Sequence, residues 1–554
     1  MIASLRERLE ESFQSFGQIF RNPDIRRLEL GWAISVFGHW AYGIALAVYA
    51  FDKGGAGAVG LVGLFRFLPP AVFGPFTAML ADRYRRELVI IGANLSRAVL
   101  LGLTAAVMAA DGPLWLIYVL TALVAIAFSA IRPAQAALLP GLAATPVELT
   151  SANVATSTIE AVGIFGGPAL GGLLLAATSP ALVVAVAGVG FIFSAAIVAR
   201  IRPQPAPERP EEGRHIVREF AAGYVTLVQE RGLRVLVILL IAQTLVAGAL
   251  NVLIVVTALQ LLDLDEGGVG YLTSALGIGG VLGAIVSVGL VGRARLTADF
   301  TAGIVLWGIP IALIGLWPEP IPAFLLLMVV GLGNTLVDVS AFTLLQRAVP
   351  DEVLGRVFGA VQSLWVGTIG LGSILAPVAI DLFGIKGALV ATGSLLPILA
   401  AICWRRLKVL DRAEIPEREL ELLHGISIFR PLPAPILEGL AGAMLPLHVE
   451  AGREIVREGE AGDRFYVIAA GEVEIVTHGE VINHEGPGEF FGEISLLRDV
   501  PRTATVRAKT DVELRALERD DFIAAVTGHA ASAEAADSIV ATRLSSLRPG
   551  LASV

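Results

Sequence analysis

Cysteine is nearly absent from this sequence: Cys403 stands alone among 554 residues. One thiol builds no disulfide framework, zinc cluster or iron–sulfur site. Charge is scarce too. Asp, Glu, Lys and Arg make up 16% of the chain, where an average soluble domain carries about 25%, and that excludes an ordinary cytosolic enzyme. Disorder is excluded because 55% of the residues are hydrophobic, with Leu, Val, Ile and Ala dominant. No catalytic constellation emerges, so no enzyme, cofactor or metal centre is expected. A mean hydropathy of +0.74 leaves an integral membrane protein, with the lipid bilayer as its first partner.

The charge is also unevenly spread. From Arg405 to Val554 there are 17 basic and 25 acidic residues, which leaves 24 basic and 25 acidic for everything before. A nearly neutral, greasy chain therefore precedes an acidic soluble domain. That acidic balance argues against nucleic acid as a partner.

Apolar runs of about 20 residues, the length that crosses a bilayer, recur at 30–50, 58–80, 88–110, 114–138, 153–177 and 180–199. After a break they resume at 235–259, 269–291, 301–317, 323–345, 357–380 and 387–404. The expected fold is α-helical, with 12 transmembrane helices in two six-helix halves and a cytoplasmic β-roll domain with flanking helices. The first 29 residues are Arg-rich and amphipathic, with no cleavage-site pattern, and do not read as a signal peptide. The break, RPQPAPERPEEGRH, is proline-dense and reads as a semi-rigid linker. An amphipathic helix, EFAAGYVTLVQERGLR, follows it.

Basic residues set the orientation. Alternate loops hold Arg83, Arg85, Arg86, Arg200, Arg202, Arg209, Arg214, Arg293, Arg295, Arg356, Arg405, Arg406 and Lys408; the others hold Lys53 and Lys386. An even number of spans then leaves both termini in the cytoplasm of a cell with this protein in its plasma membrane. The division expected is a segment at 1–29, halves at 30–200 and 235–404 flanking a linker at 201–234, a connector at 405–424 and the β-roll domain at 425–554. Two six-span halves around a midplane site is a transporter architecture.

The loop after span two reads AMLADRYRRELVI. It resembles motif A of the major facilitator superfamily, a Gly-x-x-x-Asp-Arg core followed by basic residues, with Ala78 where a glycine is usual. Asp82, next to Arg83, is expected to face the positive N-terminal end of span eleven near Leu354. Span five carries GIFGGPALGG, whose Gly163, Gly167, Pro168, Gly171 and Gly172 match motif C of facilitator antiporters. Small residues at this spacing let helices approach closely, and the proline frees a carbonyl for a bend. The strings FRFLPPAVFGPFTAMLADR and AIRPAQAALLPGL are similar to the drug-exporter branch, including macrolide-type efflux proteins. That resemblance covers roughly the first 400 residues and implies a small-molecule substrate.

Charges inside spans are expensive and mark function unless they are ordinary helix–helix contacts. Asp338 and Glu160 are the candidates for reversible protonation. His39, Arg66 and Arg97 are expected to line the cavity or pair with these acids.

The acidic domain shows short strand-like runs punctuated by glycine: LPLHVEAG, REIVREGEAG, DRFYVIAAG, EVEIVTHG and EVINHEGPG. This spacing reads as an all-β roll, closed by helices near 519–526 and 531–547. The string FFGEISLLRDVPRTATV resembles the phosphate-binding cassette of cyclic nucleotide-binding domains, as in protein kinase A regulatory subunits. Upstream, Gly459, Gly462 and Gly471 fit the same family's turns. A short helix after Gly492 would present N–H groups to a phosphate, and Arg502 would neutralise it through paired hydrogen bonds. The resemblance implies that Glu493 accepts from the ribose 2′-hydroxyl, that Phe491, Ile494 and Ser495 complete the cassette, and that Thr503 contacts phosphate or base. Cyclic nucleotide, cAMP rather than cGMP, is the expected regulatory ligand.

The function expected is a secondary transporter, a proton-coupled exporter of a small amphipathic molecule tuned by that ligand. The alternative is a membrane-anchored cyclic nucleotide receptor whose transporter-like half is not a working exporter. A transcription factor would need more than the 26 residues after Gly528, and a channel would need a selectivity-filter string.

Overall fold

The computed structural model describes residues 22–204, 231–288, 296–348, 351–407, 417–432 and 434–547. The amphipathic segment at 1–29 before Asn22, most of the linker at 201–234, and Arg209, Arg214, Arg293, Arg295 and Lys408 lie outside the described residues. The chain divides into two compact units, Met1–Leu410 and Asp411–Val554. The stretch expected as a separate connector is therefore shared: helix Glu417–Gly425 belongs to the second unit, where Leu423 is buried in its core.

The regular structure of the first unit is, among the described residues, all helix. Among the described residues, ten helices are long and apolar enough to cross a membrane. In lipid every backbone N–H and C=O must be satisfied within the segment, and the helix achieves this. Helix α1, Pro23–Arg83, opens on the Asn22 side chain, which accepts from the Asp24 and Ile25 N–H groups at 3.1 and 3.4 Å. Its 61 residues would stretch about 90 Å as one rod, three times an apolar core of about 30 Å. The chain leaves helical geometry at Gly54 and Gly55, the latter at φ 61°. Where the sequence suggested a loop at 51–57, two helices meet at a two-glycine kink.

Helices α2 (Arg86–Ala109), α3 (Leu114–Ser129) and α4 (Ile131–Leu142) follow. The span expected at 114–138 is one candidate crossing, Leu114–Leu142, interrupted at Ala130 where α3 meets α4, just ahead of Pro133, whose ring opposes a continuous helix. Next come α5 (Pro146–Ala177), α6 (Pro180–Val198), α7 (Arg231–Val256), α8 (Glu266–Val288), α9 (Leu296–Leu316), α10 (Pro320–Ala348) and α11 (Asp351–Leu407). Helix α11 breaks once, at Gly384.

Helix α5 shows what its glycines are for. A Cβ on Gly171 would lie 2.9 Å from the Ala41 carbonyl oxygen of α1, and one on Gly172 would lie 2.7 Å from the Gly267 carbonyl oxygen of α8. One on Gly167 would meet the Trp40 Cβ at 2.5 Å, and Gly163 faces Val36. Side chains here would force apart backbones that now touch, so α5 is held between α1 and α8.

The second unit is a β-rich roll flanked by helices. After α12 (Glu417–Gly425) and α13 (Ala434–Ala443), eight strands form two antiparallel four-stranded sheets. One sheet has the order β1 (Leu445–Val449), β8 (Val512–Glu518), β3 (Arg464–Ala470), β6 (Phe490–Phe491). The other has the order β2 (Glu454–Val456), β7 (Thr505–Ala508), β4 (Val473–Thr477), β5 (Glu480–Glu485). The inner faces alternate as a half-buried strand requires, bringing Ile468, Val473, Val506 and Leu514 into one core. A second core, around Phe429, Phe465 and Phe522, fixes the helices to the outside of the first sheet. The short helix α14 (Glu493–Arg498) leaves β6, and α15 (Arg519–Thr527) and α16 (Ala530–Leu547) end the roll.

Candidate functional site

The roll carries a solvent-open cleft of about 630 Å³. All seven cassette residues singled out in the sequence line it: Phe491, Gly492, Glu493, Ile494, Ser495, Arg502 and Thr503. Gly492 makes the turn from strand to helix at φ 96°, and a Cβ there would meet Arg502 Nη1 at 2.6 Å. Glycine is thus required twice, for conformation and for space.

Arg502 is 4% exposed. Its Nη1 donates to the Gly492 carbonyl at 3.1 Å and the Ser495 hydroxyl at 2.9 Å, and its Nη2 to the Arg464 carbonyl at 2.8 Å. Asp463, exposed, is its carboxylate neighbour at 3.4 Å. A buried guanidinium tied mainly to neutral carbonyls keeps its positive charge for an anion in the cleft. Phe491 turns its ring onto Tyr466, stacked at 5.0 Å, and serves the core as well as the wall.

Two residues in the cleft were not singled out from the sequence. Arg543, on α16, donates to Glu493 Oε1 at 2.9 Å, to Glu485 Oε1 at 3.0 Å and to the Phe490 carbonyl at 2.8 Å. Glu485 and Glu493 are 4% and 1% exposed, and the Oε2 of each has no hydrogen-bond partner. One arginine thus bridges two buried carboxylates, leaving an acceptor oxygen on each. Burial pushes the Glu485 carboxyl up to about 7, with Arg543 opposing and Glu493 adding to the rise. Burial raises Glu493 in the same way, again opposed by Arg543.

A raised carboxyl binds its proton more tightly folded than unfolded. The stability it contributes is therefore complete below about 4.5, its ordinary value, and is lost as pH climbs through about 7. The unfolding free energy of the 411–554 unit is expected to fall by about 3 kcal/mol across that window. In urea melts at a series of pH values, Glu485→Gln should flatten the slope; an unchanged slope would contradict the assignment.

In the first unit, Asp338 on α10 faces an apolar cavity of about 430 Å³ with Phe342, Thr244 and Trp365. Its Oδ2 accepts from Asn334 Nδ2 at 2.8 Å, and Asn334 Oδ1 accepts from Trp307 Nε1 at 2.9 Å and Gln243 Nε2 at 3.0 Å. Those two donors fix the Asn334 amide with its NH₂ toward Asp338. Glu160 is ion-paired with Arg132 of α4. Arg66 contacts His39, and Arg97 contacts Ser35 and Asn94. The pairing expected between these cations and the two acids is not what the structure contains, because Arg132 takes Glu160 and Asn334 takes Asp338. Asp82 and Arg83 are exposed at the end of α1; the side chains of 351–356, Arg356 included, lie outside the described set, as do those of Arg405 and Arg406. Among the described residues, no group of three or more His, Cys, Asp or Glu is placed to hold a metal ion.

Helices packed through glycine in one unit and a complete cassette in the other define a membrane transporter joined to a nucleotide-binding roll. Known families agree: Major Facilitator Superfamily matches at residues 28–366 and 236–447, and Cyclic nucleotide-binding domain matches at residues 446–529. The chain belongs to the Major Facilitator Superfamily and carries a C-terminal cyclic nucleotide-binding domain. It is 25% identical over 381 residues to macrolide efflux protein A of Streptococcus pyogenes, covering 67% of this chain and 93% of that protein. Over 85 residues it is 45% identical to the cAMP-dependent protein kinase regulatory subunit of Yarrowia lipolytica, covering 15% of this chain and 23% of that one. A co-crystal structure of the regulatory domain of Toxoplasma gondii PKA with cAMP is 31% identical, with a TM-score of 0.21, covering 24% of this chain and 50% of that one. The chain is thus an efflux-like, multi-pass membrane transporter fused to a cyclic nucleotide-binding domain.

Proposed function

We propose that this protein is a proton-coupled exporter of a small amphipathic molecule, regulated by a cyclic nucleotide at its cytoplasmic domain. The observation that carries the regulatory part is the cassette: Glu493 and Arg502, the two residues such domains need most, are both present and line one cleft. Arg502 holds the cyclic phosphate, with Ser495 and the backbone of Gly492 and Ile494. The free oxygen of Glu493 accepts from the ribose, and Thr503 contacts phosphate or base. cAMP is preferred over cGMP, in keeping with the cAMP-dependent relatives. Arg543 makes α16 the element that responds, because it grips the same Glu493 that the ribose engages.

The transport part rests on the membrane unit. The kinks at Gly54–Gly55 and Gly384 each divide one long helix in two; with the ten membrane-length helices among the described residues, this supports the reading of twelve spans in two halves of six. Arginine-rich loops put both termini in the cytoplasm at the cell membrane. Asp338 carries the coupling proton, with Glu160 as the second acid. Motif A, at Asp82 and Arg83, and motif C, at Gly163, Gly167, Pro168, Gly171 and Gly172, govern the change between inward- and outward-facing forms.

The test is export from vesicles holding a panel of amphipathic substrates under an imposed pH gradient, with and without cAMP. Export of at least one substrate that changes with cAMP supports the proposal. A vesicle that binds cAMP but transports nothing supports a membrane-anchored receptor instead.

A further inference from the structure

A second cavity in the membrane unit, of about 630 Å³, is walled by Trp40, Arg66 and Phe67 of α1, Asn251 of α7, Thr273 of α8 and Ser373 of α11. Its charged group is Arg66. The guanidinium rests beside the His39 ring, with Nη2 3.0 Å from Nε2, and donates to the His39 carbonyl at 3.3 Å. The rings of Tyr42, Phe67 and Trp40 surround it, at 5.4, 5.7 and 5.8 Å. Its Nε is buried without a hydrogen-bond partner. Gly43 is what lets it lie there, since a Cβ at that position would clash with the guanidinium.

A second arginine stands close by. The Phe128 ring stacks on His39 at 4.1 Å and also lies 4.7 Å from the guanidinium of Arg97. Arg97 is 0% exposed; Ser35 and Asn94 take one nitrogen, while Nε and Nη2 have no hydrogen-bond partner. Aromatic faces and hydroxyls hold a cation in place, yet they do not neutralise it. Among the described residues no carboxylate is ion-paired with either arginine. Glu160 is held by Arg132, Asp338 bonds Asn334, and Glu29 accepts from Thr156.

Two positive charges in the apolar interior, without a counter-charge, are costly to keep. They make sense where an anion arrives from outside. We propose that the cavity beside Arg66 binds an organic anion: a carboxylate, phosphate or sulfonate head at the guanidinium, with an apolar body against Trp40 and Phe67. The proposal rests on the exporter reading and names the class of its substrate as an amphipathic anion. Arg66 makes the contact, and Arg97, against the Phe128 ring that stacks on His39, adds a second positive charge nearby.

The test uses the full chain in phosphatidylcholine nanodiscs and three probes of one size: 2-naphthoate, 2-naphthamide and a naphthylmethyl trimethylammonium ion. Binding is followed by tryptophan fluorescence. Naphthoate should bind about tenfold or more tighter than the amide or the ammonium ion. Arg66→Gln should remove that preference while leaving amide binding within about twofold, and Arg66→Lys should restore part of it. Nanodiscs containing phosphatidylglycerol should give the same naphthoate affinity; displacement by that lipid would assign the cavity to a headgroup and overturn the proposal. So would absent naphthoate binding, a tightest-binding ammonium ion, or an anion preference that survives Arg66→Gln. The exporter reading is judged separately, by the vesicle assay, so either can fail alone.

Discussion

Replacing Arg502 with alanine is expected to weaken cyclic nucleotide binding by about 30-fold or more. Removing one partner of a desolvated charge pair costs about 2–5 kcal/mol, and each 1.4 kcal/mol is about a tenfold change. The side chain is buried and donates to two backbone carbonyls as well as to Ser495, so no neighbour fills its place. Arg502→Lys should fall between, because it keeps the charge and loses the planar fork. Glu493→Ala should cost less, its proposed partner being a neutral hydroxyl. Calorimetry with cAMP reads all three. A thermal melt separates lost binding from lost fold: wild type at about 100 times Kd should gain about 2.7 kcal/mol, and a folded Arg502→Ala at the same cAMP concentration about 0.9 kcal/mol or less. Undiminished affinity in that variant would refute the site.

Asp338→Asn is expected to bring pH-driven accumulation down to background while substrate binding changes by less than about threefold. The asparagine keeps the shape and, through its amide oxygen, the contact with Asn334, but has no titratable proton. The relay behind it, Trp307 and Gln243 to Asn334 and on to Asp338, holds the carboxyl toward the cavity of Phe342 and Trp365. Exchange without a gradient should survive in the variant. Gradient-driven accumulation at the wild-type level would remove Asp338 from the coupling step.

What the sequence disclosed divides by distance along the chain. The cassette was legible because Gly492 to Arg502 is one local turn, helix and loop, whose spacing is set by chemistry within ten positions. The strands of the roll were legible from their alternation and glycine punctuation. Motif C was legible because close helix approach needs glycine wherever backbones touch. Glu485 and Arg543 were not, since they meet across 58 residues and a lone arginine on an amphipathic tail looks like any solvated one. One signal existed: Arg543 is the single basic residue in α16, AASAEAADSIVATRLSSL. The partner of Glu160 was hidden for the same reason. Arg132 stands in a string, AIRPAQ, that reads as helix end, and only packing brings it to α5. The kinks at Gly55 and Gly384 were visible as glycines, but not as joints tight enough to leave almost no loop.

The central claim is that nucleotide and substrate act on one conformational equilibrium, and affinities measured in both directions on the intact protein test it most directly. Substrate affinity is measured with and without saturating cAMP, and cAMP affinity with and without saturating substrate. Linkage requires the two ratios to be equal, and coupling of about 1–3 kcal/mol makes each about 5- to 150-fold. Equal ratios in that range are the predicted result; substrate and nucleotide affinities that prove independent of one another would contradict the account.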